Sequence, residues 1–567
     1  MNYLPIRRLF ITSAVFALGF LFLLVGCALN PAPPPTPTPP PPTATPLPRG
    51  GNLTVRLAAD IPDLRPWQPR SRGEEQVMSL LYSGLVRLDA KLQPQPDIAT
   101  HWDASQDGRL ITFTLRPDVV WHDGKPLTSS DVAYTLNALH EISPTTALLV
   151  NLRRIAEITT PTTSTLVISL TERYAPIFSQ LTVPILPKHV LEGQNIATLN
   201  FWDVPIGSGP FQFGSRQAGT SITLNANKAF YRGQPLLDRV AFLVAPDPRV
   251  AAQALKDQRL LFAEWPEWNT AKTISQTVSN VRTGFYPENG YYFLGFNTRE
   301  GRPFADVRVR QALAQTIDLP KLVQAATDGQ GIPIADSAVP GSWADFVKPA
   351  TATISLERAG ALLDEAGWKV PAGGGIRQRQ NTPLTAQLFV RGDDPRRVRA
   401  AELIAKTAQT LGISVTVQPS DFASVIQPKY APPYNFDLLL GSWSNGAGDP
   451  TFSDYMFYDP DDFLLFHSSQ INQGVEDTRP ALNFVGFSDS VYDNRSVAAQ
   501  QLYDLDQRGN ALRLSQERID EEKPYFFLWD DRILVSLSTR VTTLDGPVDL
   551  STPMYFGNVE RWYLTSR

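Results

Sequence analysis

The sequence predicts an α/β protein built as two or three lobes on one chain. Three observations predict it. The stretch from about Gly50 to Arg567 is longer than one ordinary hydrophobic core serves. Its first half reads as short strands with few helices, whereas from residue 291 strands and helices alternate. Two strand-like runs then close the chain, at 525–529 and 533–537.

The elements follow in order. Leu53-Thr-Val-Arg-Leu57 alternates and predicts a strand. Residues 74–88 predict a helix running into Gly84. Asp107-Gly108 is a turn before the period-two strand 111–115. Ser130 or Asp131 caps a helix from Val132 to about His140. Strands are expected at 165–170, 211–213, 221–224 and 240–244, with a helix over 249–260. After strand 291–296, Asp306 caps a helix with Val309, Leu313 and Ile317 on one face. Asp318 starts the next helix, with Pro320 in its first turn, where a missing N–H does no harm. Ser355 caps a third, which ends at Gly367. A fourth runs from Arg396 to Leu411 and stops at Gly412. Strands 413–417 and 436–440 follow.

The N-terminus predicts export. Arg7 and Arg8 precede an apolar run from Leu9 to Val25, and Cys27 follows Leu24-Val25-Gly26. A basic head, an apolar stretch and small residues before a cut site make a secretory signal. The alternative is an uncleaved membrane helix, for which the run is short. Residues 31–48 contain eleven Pro, four Thr and no charge. Such a segment favours polyproline II and spans about 55 Å as a semi-rigid spacer. A Pro-rich partner motif is the other reading.

Composition narrows the function. Lys plus Arg is 51 against 56 Asp plus Glu, a net charge of −5 with no basic block. Nucleic-acid binding, which rests on phosphate neutralisation, is not expected. The chain has no G-x-S-x-G, H-E-x-x-H or Walker A motif. His101, His122, His140, His189 and His467 lie far apart in sequence, so a metal site needs the fold to gather them. Asp459, Asp461 and Asp462 flank Pro460 with no EF-hand spacing. No catalytic residue, resident metal or cofactor is expected.

Residues 80–105, LLYSGLVRLDAKLQPQPDIATHWDAS, and 112–136, TFTLRPDVVWHDGKPLTSSDVAYTL, closely resemble solute-binding protein family 5. These are extracytoplasmic dipeptide, oligopeptide and nickel binders of ABC transporters. The likeness continues, in the family's order, through Pro205-Ile-Gly-Ser-Gly-Pro-Phe211, residues 227–235 and Phe296-Asn-Thr. It runs on through 306–313, 362–368, and Trp443 followed by Gly448-Asp-Pro450. Leu-Val-Gly-Cys27 resembles a lipobox, which implies a lipid on the Cys27 sulfur.

The resemblance implies a periplasmic-binding-protein-like type II fold, with two lobes around a cleft and a subdomain inserted in the first. The expected division is a signal peptide over 1–27 and a linker over 28–49. Lobe I follows over 50–294 with the insert at about 84–204, then lobe II over 295–524, and a return to lobe I over 525–567. The implied function is a lipid-anchored, monomeric receptor outside the cytoplasm that captures a peptide or small polar solute by hinge closure. It delivers this ligand to ABC permease subunits with their ATPases. Alternatives are a non-peptide ligand (sugar, opine or nickel complex) or a sensor without transport.

Peptide-binding relatives carry an Asp shortly after the cleft Trp, where it pairs with the peptide amine. Here Gly446 stands at that position, beside the neutral Asn445. The candidate ligand residues are Trp443, Asn445, Arg391, Asp393, Glu74 and Tyr82. Arg391 and Asp393 follow strand 384–390 and precede a helix, where ligands gather in βα lobes. Glu74, Glu75 and Tyr82 are placed near the first-lobe rim by the resemblance alone.

Overall fold

One strand of fourteen residues, Tyr525–Ser538, ties two lobes together. In the computed structural model, which describes residues 47–67, 71–142, 152–349, 354–444, 458–472, 474 and 482–565, it lies inside a twelve-stranded mixed sheet. Residues 525–529 pair antiparallel with Gly290–Phe296. Beyond that strand lie Leu438–Ser444, Thr385–Arg391 and Ser414–Ser420. Residues 534–537 pair instead with Phe262–Trp265. Beyond Phe262–Trp265 come Asn52–Leu57, Arg239–Val244, Ser221–Ala226 and Phe211–Gln217. Val281–Pro287 and Gly331–Pro333 also pair with the long strand.

The chain therefore crosses from one half of the sheet to the other at 287–290 and again at 530–533. The crossings lie side by side, because the Glu288 amide donates to the Asp531 carbonyl at 2.8 Å. Each half buries its own core. Val55, Leu80, Phe242 and Phe262 fill the first, and Leu294, Val309, Leu388 and Ile404 the second. A separate four-stranded antiparallel sheet orders Ala99–Ala104, Leu110–Leu115, Thr165–Leu170 and Ile155–Thr162. Helix Ser129–Ile142 contributes Val132 and Leu136 to its core, with Phe113, Trp121 and Ile168.

Sequence and structure differ most at three places, and the helix expected from Val132 begins already at Ser129, ahead of both expected caps. The helix expected over 74–88 is Arg72–Leu81. Ser71 Oγ accepts from the Glu74 amide, starting it two residues early, and Tyr82 is extended, ending it. Residues 86–88 become a short strand. The Asp306-capped helix stops at Ala314, so Ile317 joins the same core from the turn beyond. The two runs expected at 525–529 and 533–537 are one strand. Asp530 and Asp531 break the apolar pattern, yet the strand continues because Gly331–Pro333 pairs with it there, while Arg396 pairs with the Asp531 carboxylate. Caps at Asp318 and Ser355 form as expected, and both accept from amides of the first turn. The helix expected over 396–411 is Pro395–Thr410, capped by Asp394.

Candidate functional site

A cleft of about 410 Å³ opens where the two crossings meet the ends of strands Thr385–Arg391 and Leu438–Ser444. These two strands run parallel, and their carboxyl ends face it. Trp443, Arg391 and Asp393 all line it, so three of the six expected ligand residues come together.

Trp443 is only 3% exposed. Its ring lies parallel to Phe293 at 5.9 Å and edge-on to Tyr430 at 5.4 Å. Its Nε1 donates to the Tyr525 hydroxyl at 3.1 Å. The ring thus belongs to an aromatic core and presents little surface to the cleft. Arg391 forms a two-pronged pair with Asp393, at 2.9 and 2.6 Å, and its guanidinium lies 4.6 Å over the Phe422 ring. Hydrogen bonding to Arg391 holds the exposed Asp393 carboxyl below the usual range.

Asp394 caps helix Pro395–Thr410, accepting from the Arg396 amide at 3.0 Å, and Pro395 suits the first helical position. The helix start then projects two arginines at the cleft wall. Arg396 Nη1 reaches both Asp531 oxygens at 2.9 Å and Gln330 Oε1 at 3.0 Å. Its Nη2 donates to the Tyr292 hydroxyl at 2.9 Å, and that hydroxyl donates to Asp531 at 3.2 Å. Burial works against the Arg396 charge, but Asp531, Tyr292 and Asp394 outweigh it and raise the pKa. Arg397 reaches Asp394 at 3.3 Å and Ser442 Oγ at 3.1 Å. The wall is a chain of paired charges rather than a field of one sign, which suits a ligand carrying both signs or strong dipoles.

Arg396, Arg397, Tyr292, Glu288 and Asp531 also line the cleft and escaped the sequence reading. One signal was available: Asp530-Asp531 is a charged doublet inside an aromatic strand, and such doublets need a partner or a function.

Glu74 and Tyr82 do not join this cleft. Glu74 is buried on helix Arg72–Leu81. Tyr82 packs in the first core, donates to the Leu64 carbonyl at 3.0 Å, and borders a separate cavity of about 180 Å³. The resemblance placed them near the rim by position along the chain, but helix Arg72–Leu81 buries Glu74, and Tyr82, extended just beyond its end, packs inward. Asn445, Gly446 and Gly448-Asp-Pro450 lie outside the described residues, as do Cys27, the apolar run before it and nearly all the Pro-rich segment.

The acidic turn at 459–462 is occupied by protein partners. Asp459 accepts from Arg508 at 2.6 and 3.0 Å, Asp461 from Gln500 at 2.5 Å, and Asp462 from Ser337. Among the described residues, no three His, Cys, Asp or Glu side chains converge to hold a metal.

Comparison with known proteins agrees with this architecture. Residues 93–464 match the family described as "Bacterial extracellular solute-binding proteins, family 5 Middle". The oligopeptide-binding protein AppA of Bacillus subtilis is 26% identical over 495 residues, which cover 85% of this chain and 86% of that protein. NikZ of Campylobacter jejuni, solved in complex with Ni(L-His), superposes with a TM-score of 0.66 at 24% identity, covering 90% of this chain and 99% of that one. HbpA2 of Haemophilus parasuis superposes with a TM-score of 0.74 at 21% identity, covering 91% and 100%. The fold is that of a periplasmic binding protein of type II, with two lobes around a cleft. The chain belongs to the bacterial extracellular solute-binding proteins of family 5.

Proposed function

We propose that this extracellular solute-binding protein is the receptor of an ABC importer, and that it captures a peptide or a similar small polar solute by closing its two lobes. The observation that carries this reading is the cleft at the paired crossings, 287–290 and 530–533, lined from both halves of the sheet. Two adjacent crossings act as a hinge, because only a few backbone torsions need change to swing one lobe on the other. A ligand that touches both lobes favours the closed form by its differential affinity. The closed form then docks on a permease, and no bond is made or broken in this chain. On this reading the hinge lies at 287–290 and 530–533, each about five residues beside the expected divisions at 295 and 525.

The ligand reading draws on chemistry and on relatives. Arg391 with Asp393 offers both signs at one mouth of the cleft, as the ends of a zwitterion require. The acid that pairs with a peptide amine in peptide-binding relatives is absent near Trp443, where Gly446 stands. Backbone contacts and the Arg–Asp pair would take over its work. AppA is named for oligopeptides and NikZ was solved with a nickel–histidine complex, so both cargo types belong in the test. A lipid on Cys27, followed by the Pro-rich arm, would keep the receptor near its permease and raise its local concentration there.

Residues Pro48–Arg567 form one compact unit, which defines the fragment to express. Native mass spectrometry of the small molecules that copurify with this fragment tests the proposal. A peptide or small polar solute in the spectrum supports it. Calorimetry against a tri- to nonapeptide library and Ni(L-His) that registers no binding, with no copurified ligand, would refute it.

A further inference from the structure

Away from the cleft, the second lobe plugs into the four-stranded subdomain through one aromatic side chain. Tyr503 sits in the short connector between helices Ser490–Gln500 and Leu505–Glu522. Tyr492 and Ile519 of these helices pack in the aromatic core that contains Trp443 and Tyr525. The connector thus belongs to the second lobe, yet Tyr503 packs against the core of the subdomain.

The contacts are specific. The Tyr503 hydroxyl donates to the Gly108 carbonyl at 2.6 Å and accepts from the Tyr174 amide at 3.3 Å. Phe178 meets its ring edge-on at 5.6 Å, and the Arg173 guanidinium lies 5.1 Å over it. Beside it, the Ala175 amide donates to the Gln500 carbonyl at 2.6 Å. The connector is braced from behind in its own lobe. Gln500 donates to Asp461 at 2.5 Å, and Arg508 pairs with Asp459. Tyr503, Gln500 and the subdomain residues they touch do not line the cleft.

We propose that Tyr503, with Gln500, is a latch that holds the two lobes closed without ligand contact and so sets the affinity of the cleft. This rests on the hinge-closure reading above. A group that stabilises the closed form alone raises the fraction able to bind, and apparent affinity scales with that fraction. Tyr503 is therefore a positioning residue: it acts on ligand through the lobe equilibrium. The hydrogen bond and aromatic packing together predict that removing them moves the closed-to-open ratio about tenfold or more toward open. Affinity falls by no more than the same factor, because a protein that is mostly closed has little closed fraction to lose.

The test uses the 48–567 fragment, stripped of ligand by unfolding and refolding. Small-angle scattering and fluorescence transfer between dyes on the two lobes report closure, and circular dichroism reports folding. Ligand-free wild type is expected to hold a compact population. Tyr503→Ala should shift it to a larger radius of gyration and lower transfer with an unchanged dichroism spectrum. Tyr503→Phe keeps the ring, loses the bond to Gly108, and should fall between the two. It carries the test alone if the alanine variant does not refold. Equal lobe separation in wild type and both variants, while the peptide library still closes the wild type, overturns the latch and spares the closure reading. A wild type whose lobe separation changes neither with the library nor with the substitutions overturns both.

Discussion

Replacing Trp443 separates its two possible jobs, packing and ligand contact. The side chain is 3% exposed, stacked on Phe293 and bonded through Nε1 to Tyr525. Truncation of such a ring to alanine leaves a cavity and costs about 3–5 kcal/mol of stability. Trp443→Phe keeps a ring and loses the bond, leaving the Tyr525 hydroxyl unpaired, at a cost of about 1–2 kcal/mol. The assay is urea unfolding of the 48–567 fragment followed by near-ultraviolet circular dichroism. Two lobes can unfold in two steps, so the transition that carries the aromatic signal is the one to fit. The ring face is committed to Phe293, so Trp443→Phe should change ligand affinity by less than about 1 kcal/mol, below what an aromatic anchor contributes. A stability loss below about 1 kcal/mol for Trp443→Ala, or an alanine variant no worse than the phenylalanine one, refutes the packing argument.

Other outcomes follow from neighbouring groups. Asp531→Ala removes the main acid facing Arg396; loss of one partner from a buried pair costs about 3–5 kcal/mol, eased here toward about 2–3 by Asp394 and Gln330. Thermal denaturation checks this, and an unchanged melting temperature contradicts it. Burial pushes Asp462 up to about 7 and Asp461 up to about 6. The folded state then holds protons that the unfolded chain releases near pH 4, so their contribution is full below that pH and is lost as pH rises to about 7. Asp462→Asn should remove much of the fall between pH 5 and 8; parallel melting curves for variant and wild type across that range would show that Asp462 does not titrate there. Cys27→Ser should abolish lipid labelling and release the protein from membranes or leave it unprocessed. Labelling that persists in the variant argues against the lipobox.

Much of the fold is legible in local chemistry. Asp306, Asp318 and Ser355 cap the helices expected of them, since a capping side chain needs only the amides two or three residues ahead. The strand at 165–170 matches its expected bounds because alternation marks one buried face. Helix Arg72–Leu81 departs from its expected span at both ends: Ser71 starts it earlier, and the extended Tyr82 ends it before Gly84. In the site, Arg391 and Asp393 were legible as cleft-lining candidates from their place after a strand, and Trp443 from the resemblance. Arg396, Asp531 and Tyr292 were not, since their roles depend on partners up to 239 residues apart.

The sequence by itself determined that the chain is an α/β protein with the ordered motifs of the family, and that no acid lies between Trp443 and Gly448. These are properties of neighbours along the chain and of motif order. Tertiary structure alone decided that 525–538 is one strand shared by two lobes, that Glu74 and Tyr82 face inward, and that Tyr503 packs against the subdomain core. Each depends on long-range pairing and on which face of an element is buried, and a partner 395 residues away, as Gly108 is from Tyr503, leaves no mark on local pattern.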